Sequence, residues 1–158
     1  MHEHLFNHVD IPAENINVPN GEIAWDEIDH YCDEYEDKIK SYGGIDFQLL
    51  GIGGTGHIGF NEPGSAKDCI TRLVYLEKTT KIAAASDFGA MKNVPRKAIT
   101  MGVSTILSAR KIAIIALAEG KAKIAKIAIE GPETPDRPAT YLHNHPNTTF
   151  YLDAASSA

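Results

Sequence analysis

The sequence predicts an α/β protein built on a doubly wound, mostly parallel sheet, and three observations carry that expectation. Ile112-Ala113-Ile114-Ile115-Ala116-Leu117 is apolar without polar alternation, the pattern of a strand covered on both faces. Strand-like and helix-like stretches alternate along the chain, as they do when crossover helices join parallel strands. A second apolar run, opening at Ile45, empties into a loop with five glycines from Gly51 to Gly59. In such sheets ligands lie at the carboxyl ends of strands.

Size and charge narrow the function classes. The 158 residues, 43% apolar and 23% charged, suit one soluble globular domain with a real core, and no repeat, low-complexity tract or linker divides them. A net charge of -6 argues against nucleic acid as a partner, because binding phosphates over a large footprint needs a basic face. No run approaches the roughly 20 apolar residues of a membrane span. Residues 1–10 hold three histidines and two acids, which is not a secretory signal. Cys32 and Cys69 make no disulfide framework and fit thiols in a reducing cytoplasm, though a single bridge between them stays open.

Residues 1–9 place Leu5, Phe6 and Val9 at helical spacing with no capping residue before them, like a helix cut into. His2, His4 and His8 read as surface histidines rather than a metal cluster. Residues 15–19 make a short strand, closed by the turn Pro19-Asn20-Gly21. Trp25, Ile28, Cys32, Tyr35 and Ile39 then form one helical stripe. The acids between them, Glu36 included, read as its solvated face. Gly43-Gly44 stops that helix. Further on, 70–76 reads as a strand, 79–85 as a helical turn or two, and 97–103 as a buried strand. A short helix over 104–109, capped by Ser104, leads into the interior strand 111–118. The helix 120–130 buries Ile124 and Ile127, a helical turn falls at 139–143, and a last strand at 148–152.

The loop itself carries the chemistry. Glycines let backbone N–H groups approach a ligand closely, and His57 and Glu62 in the same loop form an acid/base pair able to exchange a proton near neutral pH. The bland alternative is a tight turn whose His57 and Glu62 bond only their own loop. Lys121 follows Glu119-Gly120 at the start of a helix, where free N–H groups, the helix dipole and a full charge together suit an anion. Gly51-x-Gly53-x-x-Gly56 is formally a dinucleotide fingerprint, yet His57 and Pro63 come where its helix should start.

Gly51-Ile-Gly-Gly-Thr-Gly-His57-Ile-Gly-Phe-Asn-Glu62-Pro63 resembles the signature of the glucosamine-6-phosphate deaminases, also called isomerases. The likeness extends through residues 9–17 and 93–103 and covers practically the whole chain, but only part of the family's length. It implies that residues 1–158 are the C-terminal portion of a Rossmann-like three-layer fold in a longer cytoplasmic enzyme of amino-sugar catabolism. By the same resemblance, His57 assists sugar ring opening, Glu62 supports it, Gly53, Gly54, Gly56 and Asn61 lie in the substrate loop, and Lys121 binds phosphate. No metal or cofactor is implied, and a homo-oligomer stays open. Two departures weigh against full deaminase chemistry. Thr55 stands where well-known members carry an aspartate, so a hydroxyl replaces a charge at a catalytic position. An arginine expected within 81–88 is absent, and neither Arg72 nor Arg96 is well placed to replace it. The phosphate loop and proton-moving aspartate of the family lie in a segment this sequence does not contain, so the expectation is little turnover by these residues alone. The alternatives are a 6-phosphogluconolactonase, against which Asn61-Glu62-Pro63 speaks, and a sugar-phosphate-binding module without catalysis.

Overall fold

A computed structural model describes residues 1–157. Three strands, β1 (Phe47–Gly51), β4 (Lys111–Ala116) and β5 (Thr148–Leu152), form a parallel sheet in the order β1-β4-β5. Leu50 pairs with Ile114, and Ile114 with Phe150. The even rows of β1 and β4, with Leu50, Ile112, Ile114 and Ala116, pack on Ile124, Ala125 and Ala128 of α4 (Ala122–Glu130) and on Ile106 of α3 (Val103–Leu107). A 3₁₀ turn, Pro138–Leu142, closes that core and is buried throughout. The opposite face is different: Phe47, Leu49, Ile115 and Tyr151 are exposed. The apolar run at 112–117 therefore marks the sheet's centre, but within this chain helices cover only one face.

The other two strands leave the parallel sheet. β2 (Arg72–Tyr75) and β3 (Lys97–Thr100) pair antiparallel, with Leu73 opposite Ile99. The strand expected over 97–103 thus ends at Thr100 and is only half-buried until that residue. Antiparallel pairs tolerate one solvated face, whereas interior parallel strands do not.

Helix α1 (Ile28–Ser41) follows the predicted stripe at Ile28 and Cys32, both buried. Trp25 instead sits in a preceding 3₁₀ turn, exposed, with Lys97 Nζ 3.4 Å from its ring centroid. Glu36 also departs from expectation. It is buried and accepts hydrogen bonds from Thr71 N at 2.8 Å and Thr105 Oγ1 at 2.6 Å, tying α1 to the residue before β2 and to α3. A buried carboxylate is tolerated when donors satisfy it, and these two come from elements distant in sequence. Helix α2 (Lys78–Ala84) forms as expected and buries no residue.

Smaller differences are local. No strand forms over 15–19; a 3₁₀ turn occupies Ala13–Asn15, and Asn17 Nδ2 bonds Asn15 O at 3.0 Å, a side-chain contact that competes with strand pairing. Residues 1–9 give only the 3₁₀ turn Phe6–His8, with nothing buried. Ser104 does not cap α3; Gly102 stands at the cap position with no side-chain bond. Both cysteines are free, which removes the bridge left open above. Among the described residues no helix is long and apolar enough to cross a membrane.

Candidate active site

The loop after β1 is folded by its glycines and anchored from beneath. Gly53 N donates to His57 O at 3.0 Å, and Gly56 N to Gly53 O at 2.9 Å. A Cβ on Gly53 would occupy the space of the His57 imidazole, so the ring lies against bare backbone. Gly56 has φ +85°, and a Cβ there would press on Ile124 and Arg137 at 3.0 Å, so only glycine fits without strain. Ile58 is fully buried under the loop, as is Asn61. Asn61 Nδ2 donates to Ile58 O at 2.9 Å and Met101 O at 2.8 Å, while its Oδ1 accepts from Arg72 Nη1 at 2.8 Å.

On this platform four side chains meet. His57 Nδ1 lies 3.0 Å from Glu62 Oε2 and 3.0 Å from Thr55 Oγ1, and Thr55 Oγ1 donates to Glu62 Oε2 at 3.4 Å. Thr80 Oγ1, from α2, donates to the other oxygen, Oε1. The His57 side chain is 19% exposed and that of Glu62 is 9% exposed. An ionised carboxylate only accepts, so a carboxylate oxygen 3.0 Å from Nδ1 favours the tautomer with its proton there and leaves Nε2 to face the cleft chemistry. The group opens on a cleft of about 830 Å³, lined among others by Gly53, Gly54, Thr55, His57, Thr80 and Lys121.

Lys121 reaches the cleft through an unusual turn. Its Nζ donates to Ile52 O at 2.8 Å, which leaves further N–H donors of the ammonium for an anion. The 3₁₀ turn Glu119–Lys121 begins after Ala118, whose φ of 72° and ψ of 156° fall in a region almost reserved for glycine. Asp153 steadies that turn: its carboxylate accepts from Ala118 N at 3.0 Å and from Ser156 N at 2.8 Å. Those bonds, the one from Ala118 first, hold the Asp153 carboxyl below its usual range.

Of the residues singled out in the sequence, Gly53, Gly54, Thr55, His57 and Lys121 line one cleft, and Glu62 Oε2 lies 3.0 Å from His57 Nδ1. Gly56 and Asn61 do not line it. Gly56 is a packing and turn position, and the amide of Asn61 is spent inside the protein rather than offered to substrate. Arg72 is likewise engaged, with Asn61 and with Ser65 Oγ at 3.2 Å. Thr80 was not foreseen. Nothing in the run Lys78-Thr79-Thr80 distinguishes one helical threonine from another until the fold lays it beside Glu62.

Residues 1–151 match the family described as glucosamine-6-phosphate isomerases/6-phosphogluconolactonase. A glucosamine-6-phosphate deaminase of Geobacillus sp. (strain WCH70) is 47% identical over 153 residues, which are 97% of this chain and 60% of that protein. One of Rhodopirellula baltica is 45% identical over 158 residues, 100% of this chain and 62% of that protein. The solved structure of a monomeric glucosamine-6-phosphate deaminase superposes with a TM-score of 0.95 at 38% identity, covering 99% of this chain and 64% of that one. A 6-phosphogluconolactonase from Trypanosoma brucei shares the fold at 19% identity and a TM-score of 0.64, covering 89% of this chain and 56% of that one. The chain thus spans somewhat under two thirds of the length of these relatives. With the motif from Gly51 to Pro63 folded around an imidazole and carboxylate, and with the match running over residues 1–151, this chain belongs to the glucosamine-6-phosphate isomerase/6-phosphogluconolactonase family.

Proposed function

We propose that the chain carries the ring-opening acid/base pair and a phosphate contact of a glucosamine-6-phosphate deaminase, an enzyme that converts glucosamine 6-phosphate and water to fructose 6-phosphate and ammonia. The observation that carries this reading is the His57 to Glu62 pair, 3.0 Å apart at the edge of a cleft that also holds Lys121. Opening a pyranose requires one proton to leave the anomeric hydroxyl and one to reach the ring oxygen. An imidazole with Nδ1 fixed on a carboxylate can carry both through Nε2. Lys121 supplies the positive charge for the phosphate, and Gly53 and Gly54 let the sugar come close to the backbone. Relatives named as deaminases at 45% and 47% identity favour this activity over the lactonase alternative.

Isomerisation also needs a base for the proton on carbon 2. Among the described residues no second carboxylate lines the cleft, and we assign that step to a group outside this chain. Thr55 can hydrogen-bond His57 and Glu62 but brings no charge to an ammonium leaving group, so the pair relies on Glu62 alone.

Titrating the chain with glucosamine 6-phosphate or fructose 6-phosphate, followed by NMR, is expected to move the signals of Gly53, His57 and Lys121. Ammonia release from glucosamine 6-phosphate by the 158-residue chain is expected to be slight. Robust turnover would overturn the assignment of the carbon-2 step. Hydrolysis of 6-phosphogluconolactone, or sugar-phosphate binding that leaves His57 untouched, would overturn the deaminase reading itself.

A further inference from the structure

We infer that Thr80 is a positioning residue: its hydroxyl fixes the Glu62 carboxylate so that Oε2 faces His57 Nδ1 and the imidazole keeps one tautomer. The inference deepens the function proposed above and rests on the same cleft, but its test does not require that function to be right.

The argument starts from the torsion of a glutamate. The last bond of its side chain joins a tetrahedral to a trigonal carbon, and its rotation is broad and roughly two-fold. Torsional preference therefore does not aim a carboxylate; hydrogen bonds must. Glu62 has its two oxygens divided between different donors. Oε2 meets His57 Nδ1 at 3.0 Å and Thr55 Oγ1 at 3.4 Å, both from its own loop. Oε1 is held by Thr80 Oγ1. Without Thr80 the carboxylate has one anchored oxygen and is free to swing about it.

Where Thr80 comes from supports a specific role. It belongs to α2, a seven-residue helix that buries nothing, so the contact is not a by-product of core packing. Thr79 and Ala83 of the same helix line the cleft, which places the donor on the side from which a ligand would be approached. The consequence lies on His57. A carboxylate held in place accepts the Nδ1 proton and leaves Nε2 as the base. A free imidazole in water prefers the opposite tautomer, with the proton on Nε2, so the arrangement has to be maintained.

The test reads the ring nitrogens of His57 by ¹⁵N NMR in the ligand-free chain at a pH where the ring is neutral. With Thr80 intact, the Nδ1–H form dominates. In Thr80→Val, which keeps the shape and removes the hydroxyl, the ratio of Nδ1–H to Nε2–H should fall on the order of tenfold, the worth of one hydrogen bond to a charged group. Thr80→Ser should restore it, and Thr79→Val should leave it unchanged. Because α2 is exposed, the valine variant should melt within a few degrees of the parent. An unchanged tautomer ratio in Thr80→Val overturns the inference, as does failure of Thr80→Ser to restore it. A tautomer shift in a protein that ignores sugar phosphates would leave Thr80 as a positioning residue and remove the deaminase reading instead.

Discussion

The glycine-loop wall of the cleft stands on Ile58 and Asn61, both fully buried, whereas the α2 wall offers Thr79, Thr80 and Ala83 from a helix with no buried residue. The first wall holds the imidazole against bare backbone and beneath it an amide with four partners inside the protein. The second is joined to Glu62 by a threonine hydroxyl. Reacting groups gain from a support that cannot relax, because their geometry must survive collisions with solvent and ligand. A wall that buries little apolar area opens at low free energy. The difference assigns the rigid platform to the loop, and makes the Thr80 to Glu62 contact the tie between that platform and a helix otherwise free to adapt.

The largest expected effect tests the rigid side. Asn61→Leu has similar volume but removes one of the two donors to Ile58 O, one of the two to Met101 O, and the shorter of the two bonds made by Arg72 Nη1. Losing three hydrogen bonds inside the protein, one of them to a guanidinium, costs about 3 kcal/mol, to be read from the urea midpoint at constant slope. Ile82→Ser, on the exposed side of α2, should stay within about 0.5 kcal/mol. If the two variants cost the same, the walls do not differ in the way described.

Gly53→Ala comes next. The added methyl enters the space of the His57 ring, and forcing an extra carbon into a filled site costs about 2 kcal/mol unless the neighbour moves. Here the ring can move, toward the cleft. The sharper signature is therefore positional: the contact between His57 and Glu62 should be lost, seen as a changed His57 ring resonance with a melting temperature lowered only a little. An alanine variant whose His57 resonances match those of the parent would show that the ring does not rest on Gly53.

How far the sequence could foresee this is instructive residue by residue. The clustering of His57 and Lys121 at one cleft, with Glu62 beside His57, was visible because it depends on local context: a glycine-rich turn after a strand, and a lysine opening a helix after a strand. The parallel strands were visible for the same reason, since the continuous apolar run of β4 and the short stretches Phe47–Gly51 and Thr148–Leu152, rich in apolar or β-branched and aromatic residues, are local properties. Glu36 and Thr80 were not. Each looks like an ordinary surface residue of a helix until Thr105 or Glu62, distant in the chain, is brought beside it. The orientation of Asn61 was not visible, because a polar residue in a glycine-rich loop looks the same in sequence whether its amide faces the cleft or, as here, bonds Ile58 O, Met101 O and Arg72. The uncovered sheet face also escaped notice, since Phe47, Leu49, Ile115 and Tyr151 have the composition of a covered one.

A third support, the turn that delivers Lys121, allows the comparison to be sharpened in the stabilising direction. Ala118 holds φ 72° and ψ 156°, a conformation that costs a residue with a Cβ about 1 kcal/mol or more. Ala118→Gly should therefore raise stability by about 1 kcal/mol, the reverse of the usual effect of introducing glycine. Binding of a sugar phosphate should weaken slightly if the turn then loosens. A destabilised glycine variant would mean that the surrounding bonds, not the methyl group, set the turn.

The smallest effect is one of pH, and its sign follows from the same turn. The N–H of Ala118, and then Ser156, hold the Asp153 carboxyl below the usual carboxylate range in the folded chain. A carboxyl that binds its proton more weakly when folded adds stability above the unfolded value, about pH 4. That contribution disappears as the pH drops through the lower folded value. Glu133, lowered by hydrogen bonds from Lys67 and Asn144, acts in the same direction, so the parent's acid limb alone cannot isolate Asp153. Comparing melting temperatures of the parent and Asp153→Asn does: the gap between them should be widest near neutrality and close below about pH 4. Because the Asp153 side chain is exposed, solvent screens it and the gap should be small. A gap that stays constant with pH would mean that Asp153 holds the Ala118 turn through geometry that its neutral amide reproduces equally badly at every pH, and not through charge.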